Sequence, residues 1–204
     1  MHKYLSLAAL ALCAANPAIA AERRELGAHQ HGHGTLNIAV DGKKIAMELE
    51  APGADIAGFE HEAKSDKDKA AIKTATGMLE KPLALFKVPE AAKCVVSEAK
   101  VKVEAEDHDH EGHDDHDKAG EAKHEKDHDH DAAHKEEAEA HHSAFHAEYL
   151  LECASPEDFK SLGLDYFAAF KGAQGLTIEV ITPKGQSKFE ATRDKPVIDL
   201  SGLL

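Results

Sequence analysis

Leu36-Asn37-Ile38-Ala39-Val40-Asp41-Gly42-Lys43-Lys44-Ile45-Ala46-Met47-Glu48-Leu49 reads as two short strands and the turn that joins them. Leu36, Ile38 and Val40 alternate with Asn37, Ala39 and Asp41, and Ile45, Met47 and Leu49 alternate with smaller or charged residues. That period of two puts one apolar face on each strand. Asp41-Gly42 is a strong hairpin signal, because its residues accept the positive φ that a tight antiparallel turn demands. Pro52-Gly53 closes the second strand. A hairpin that is apolar on one face needs a cover, so the rest of the chain must supply further strands and helices to lie over it.

Downstream, Ser65 is placed to cap a helix, with Asp66 and Asp68 in the first turn, where negative charge suits the helix dipole. Ile72, Ala75, Leu79, Leu83 and Phe86 recur at helical spacing, and Pro82 is expected to kink or end the helix. Cys94 to Val103 and Ala144 to Cys153 read as strands. Ser155-Pro156-Glu157-Asp158 starts helical pieces expected through Phe159 and Leu162, then Tyr166, Phe167 and Phe170, stopping at Gly172. Leu176 to Ile181 and Ser187 to Thr192 form a last hairpin around Pro183-Lys184-Gly185, and Pro196 to Leu200 adds an edge strand. The order ββα, ββα, ββ(β) predicts an α+β domain: an antiparallel sheet of ββα units with helices on one side.

Between the two middle strands lies Glu104 to His142, a tract with no Leu, Ile, Val, Phe, Tyr, Trp or Met. It carries ten histidines (His108, His110, His113, His116, His124, His128, His130, His134, His141 and His142), sixteen acids and four lysines. Without apolar surface to offset ordering entropy it is expected to be a disordered insert. The formal net charge of the 204 residues is −14, and nearly all of it sits in this tract. The rest is an almost neutral globular sequence. The acidity favours cations and argues against nucleic acid as a partner. Acids alone would make a soluble spacer. Imidazoles spaced H-x-H, H-x-x-H and H-x-x-x-H add ligands for borderline divalent ions.

A second group of histidines stands just before the first hairpin. His29, His31 and His33 alternate in GAHQHGHG, so an extended chain would turn all three to one side, and His61 follows one hairpin later. These four are the candidates for a fixed, nitrogen-rich metal site. Imidazole and carboxylate suit zinc, nickel, cobalt and copper(II). Thioether or thiolate ligands for copper(I) are scarce, leaving Zn(II), with several ions possible, as the expected cargo. Binding competes with protonation, so capacity should fall as pH drops toward about 6.5. Two motif matches fail. His124-Glu125-Lys126-Asp127-His128 fits the zinc-protease pattern but has no apolar flanks to build the helix that chemistry needs. Asp107-x-Asp109 opens like a calcium loop, yet its twelfth position is Lys118 where a bidentate acid is required. No nucleophile–base arrangement or phosphate loop accompanies them, and no enzyme is expected.

Residues 1–20 have the pattern of a cleaved signal peptide: Lys3, an apolar run from Leu5 to Ala15, and Ala18-Ile19-Ala20 before Ala21. The apolar run is too short to span a bilayer. Residues 21–204 are then a single metal-binding domain with the insert at 104–142, expected in the periplasm as a monomer not inserted in a membrane. Cleavage removes Cys13. Cys94 and Cys153 remain, in an oxidising compartment where a disulfide is the expected state. If their strands pair antiparallel, the cysteines meet at the end far from the insert.

HGHGTLNIAVDG, ELEAPGADIAGFEH, HAEYLLEC and VITPKGQ together resemble the ZrgA-like family of zinc-regulated periplasmic proteins, from about His31 to the C-terminus. The resemblance implies zinc binding in the service of zinc acquisition, with a zinc importer or its substrate-binding protein as partner. It supplies no ligand list. Two other functions fit the residues: a storage or resistance buffer for zinc, nickel or copper, and a non-catalytic interaction domain whose insert is a solvated spacer.

Overall fold

The computed structural model describes residues 31–106 and 142–204. The expected signal peptide, His29 and the histidines from His108 to His141 lie outside them. The first hairpin forms as its alternation requires. β1 (His33–Asp41) pairs antiparallel with β2 (Lys44–Pro52), Val40 opposite Ile45 and Leu36 opposite Leu49. Leu36, Ile38, Ile45, Met47 and Leu49 are buried, while Ala39, Lys44, Ala46 and Glu48 are exposed.

β2 ends in a one-turn helix, α1 (Gly53–Ile56). α2 (Asp66–Leu79) begins with a full capping box: the Ser65 hydroxyl accepts from the Asp68 N–H, and the Asp68 carboxylate accepts from the Ser65 N–H. Of the two outcomes expected at Pro82, a kink or an end, the helix ends, stopping at Leu79. Pro82 opens a separate turn, α3 (Pro82–Leu85), at the first helical position, where its missing N–H costs nothing. Phe86 then starts the two-residue strand β3 (Phe86–Lys87).

β4 (Cys94–Glu106) and β5 (His142–Cys153) form the long central hairpin, with Cys94 opposite Cys153 and Glu106 opposite His142. Strand pairing therefore takes in 104–106 and His142, residues expected to belong to the insert. After β5 the helix expected to start at Ser155-Pro156 forms a single 3₁₀ turn over Pro156–Asp158, and β6 (Ser161–Leu164) takes the place of its continuation through Leu162. Leu162 and Leu164 alternate inward, a period of two that one strand of four residues shows too briefly to be distinguished from a helical turn. α4 (Tyr166–Ala169), β7 (Gly175–Thr182), β8 (Gly185–Thr192) and β9 (Val197–Asp199) complete the chain.

The large sheet has the order β4-β5-β2-β1-β7-β8, all antiparallel except the pair β1–β7, which is parallel. β9 joins β6 and β3 in a second sheet of order β3-β6-β9 instead of edging the first. The α+β expectation holds. The inner face of the large sheet packs under the helices and the small sheet, around Phe86, Tyr149, Tyr166, Phe167 and Phe170. Tyr166 lies 6.0 Å from Phe86 and 5.3 Å from Phe170, ring to ring. The outer face is polar and open. Among the described residues no helix is long and apolar enough to cross a membrane.

Candidate metal centre

Strand register decides which histidines can be neighbours. Thr35 stands opposite Glu50, Pro52 opposite Ala144, Ala144 opposite Glu104, and His33 beside Gly175. The start of β1, the end of β2, the start of β7 and the open end of the β4–β5 hairpin therefore share one end of the sheet. Both roots of the insert, Glu106 and His142, emerge there, beside the segment that carries His31 and His33. The cysteines occupy the other end. Cys94 and Cys153 are bonded, as expected, twelve residue steps from the insert's root, or roughly 40 Å along an extended strand.

The extended run expected through the leading histidines breaks at Gly32, whose φ of +82° lies in the left-handed region. Its N–H donates to Asp55 Oδ1 at 2.8 Å, and its carbonyl accepts from the N–H groups of Gln174 and Gly175 at 2.7 and 2.8 Å. Gly172 lets the α4–β7 turn close on this loop, since a Cβ there would sit 2.6 Å from the Asp55 Cα. The pinned turn sends His31 and His33 in different directions. His31 Nε2 lies 2.8 Å from Glu60 Oε2, so its Nε2–H donates to that carboxylate. His33 turns to the outer face of the sheet. There its Nε2 lies 2.8 Å from Thr177 Oγ1 and 3.5 Å from Glu190 Oε2.

His61 stacks on Phe59, with ring centroids 4.6 Å apart, and its Nδ1 lies 3.0 Å from the Glu62 carbonyl. A carbonyl only accepts, so Nδ1 carries the hydrogen. In the neutral ring the lone pair is then on Nε2, the state in which a histidine binds a metal. Asp55, almost fully buried, leaves Oδ2 without a hydrogen-bond partner. Burial pushes its carboxyl above the usual range, against the pull of the Gly32 N–H and of His31 and His33.

The structure thus brings His31 and His33 to one end of the sheet, with His61 next to the Glu60 that His31 meets, but gives each ring its own partner. Among the described residues, no three His, Cys, Asp or Glu side chains stand close enough to hold an ion. His142 opens β5, and the remaining candidates lie outside the described residues. Sequence reasoning missed the groups that meet these rings, Glu60, Thr177 and Glu190, and Asp55, which holds the Gly32 turn between them.

It also missed His146. On β5 this residue alternates with Phe145 and Ala147 and so faces outward; its buried Nε2 lies 3.7 Å from Glu104 Oε2, too far for a hydrogen bond. The alternation in HAEYLLEC was the available signal. The crevice there, about 120 Å³, is also lined by Lys100 and Lys102, whose ammonium groups would repel a cation.

No curated protein matches the chain. The sequence profile described as "ZrgA family zinc uptake protein" matches residues 28–200. That span takes in all three hairpins, the insert and every histidine named here.

Proposed function

The chain belongs to the ZrgA family of zinc uptake proteins, and from that membership we propose that it is a periplasmic zinc carrier with two kinds of site. The insert captures Zn(II) through its imidazoles and carboxylates, several ions at a time. A fixed site among His29, His31, His33 and His61 holds one ion more firmly for delivery to the importer or its substrate-binding protein. The observation that carries this reading is that Glu106, His142 and His33 share one end of the sheet, with His31 bonded to Glu60, the residue before His61. An ion released by the insert starts beside the fixed histidines. The ligand types support zinc, since neutral imidazole and carboxylate are what a tetrahedral zinc site uses. The family is one of zinc uptake proteins and is not known as an enzyme family. The role needs binding and release only.

Calorimetric zinc titration tests this on residues 21–204 and on a version in which an Asn-Gly turn replaces residues 107–141. The full chain should show one tight site and several weaker ones, and the shortened chain should keep only the tight one. Loss of all binding on shortening would overturn the fixed site. Induction of the protein by excess zinc instead of zinc starvation would turn the reading toward storage.

A further inference from the structure

Taking the zinc-carrier reading as its basis, we infer that His33 binds the metal through Nδ1, and that Thr177 and Glu190 are the positioning residues that hold its ring in that state. Three strands contribute. His33 opens β1, Thr177 is on β7, and Glu190 lies opposite Thr177 on β8. Thr177 Oγ1 is 3.1 Å from each oxygen of the Glu190 carboxylate and 2.8 Å from His33 Nε2.

A hydroxyl has one hydrogen and a carboxylate has none to give, so the Thr177 hydrogen points at Glu190. Directed at His33, it would leave the lone pairs of Thr177 and Glu190 facing each other at 3.1 Å. With that hydrogen committed, Thr177 Oγ1 can only accept from His33, and Nε2 must be the nitrogen that carries N–H. Glu190 Oε2, 3.5 Å from the same nitrogen, is a second acceptor on that side. In the neutral imidazole the lone pair is then on Nδ1.

Among the described residues both polar contacts of His33 are made by Nε2, and none commits Nδ1. Gly175 lets the ring lie against the backbone of β7 in this orientation, because a Cβ at that position would lie 2.5 Å from Nδ1 and 2.9 Å from Cε1. An acceptor behind the N–H of a ligating histidine fixes its tautomer and makes the other nitrogen a stronger donor to the metal. Here the acceptor is a hydroxyl backed by a carboxylate. The three groups stand on adjacent strands, whose backbone pairing fixes the spacing between them.

The test uses residues 21–204 with ¹⁵N-labelled histidine, His33 being assigned by comparison with His33→Gln. Two-bond ¹⁵N–¹H correlation spectra of the metal-free chain at pH 7.5 should show His33 with its hydrogen on Nε2, and added zinc chloride should shift its Nδ1. Thr177→Val keeps the side-chain shape but removes the hydroxyl. It should scramble the tautomer and weaken the tight zinc site about 10- to 100-fold, and Thr177→Ser should restore both. A hydrogen on Nδ1 in the metal-free chain overturns the inference while leaving the carrier reading intact. So does unchanged zinc affinity in Thr177→Val. If the tautomer is as stated but zinc leaves His33 unmoved, the fixed site itself fails, and the ligand role of His33 falls with it.

Discussion

Asp55 is a carboxyl group placed where water barely reaches, and its one hydrogen bond holds the turn between His31 and His33. Burial raises its proton affinity above the ordinary value of 3.8. The folded, metal-free chain therefore keeps this proton to a higher pH than the unfolded chain does. The associated stability is fully present below 3.8 and is lost as pH rises through the folded-state value. Asp55→Asn keeps an oxygen to accept from Gly32 and has no charge to desolvate. Its melting temperature relative to the native chain, measured in chelator, should climb as pH rises above 3.8 and level off once the folded-state carboxyl has ionised, and a difference that stays flat throughout would remove burial as the cause. At this scale the sequence made the ligand types plain but not their partners. HGHG and GFEH announce nitrogen donors. Nothing near His33 points to Thr177, 144 positions away, or to Glu190 beyond it. Gly172 and Gly175 look like loop glycines until the ring and the α1 backbone pressed against them are known.

Elements divide by whether their partners are local. The Asp41-Gly42 hairpin and the α2 capping box are specified by adjacent residues, and both were legible. The parallel pairing of β1 with β7 was not, because each strand shows the same alternation whichever neighbour it takes. β6 was misread for its brevity and for Gly163 at its centre, where a Cβ would come 3.1 Å from the Lys87 Cβ. The long β4–β5 hairpin is the element whose stability depends most on a covalent link. Cys94 and Cys153 close a loop with a sequence separation of 59, which by chain entropy contributes about 4 kcal/mol. Replacing both by serine should lower the melting temperature by about 8–16 °C, at about 2–4 °C per kcal/mol for a domain of this size. Zinc affinity should stay within about twofold, since the bond lies at the end of the hairpin away from the histidines. A large loss of affinity in a chain that still melts cooperatively would show that the hairpin's root depends on its base.

Across the whole molecule the sheet works as a spacer with two dissimilar ends. One carries the disulfide and the β1–β2 turn, where the Cys153 N–H donates to the Lys43 carbonyl at 2.8 Å. The other carries the roots of the insert, the Gly32 turn, His31 and His33. In the carrier reading the place where the insert is anchored matters as much as its ligand count, and the fold allows the two to be separated. Residues 107–141 can be moved to the exposed turn between Gly42 and Lys43, with an Asn-Gly turn closing β4 to β5. Every ligand is kept and only the anchorage changes, from beside His33 to the far end of β1, nine residues or roughly 30 Å away. Zinc stoichiometry by calorimetry should be unchanged. Growth of a deletion strain at limiting zinc should drop from the level given by the native chain toward that given by the insert-less one. If the relocated chain restores growth as well as the native chain does, the insert is acting as a buffer indifferent to position, and the convergence at the sheet's end plays no part in delivery.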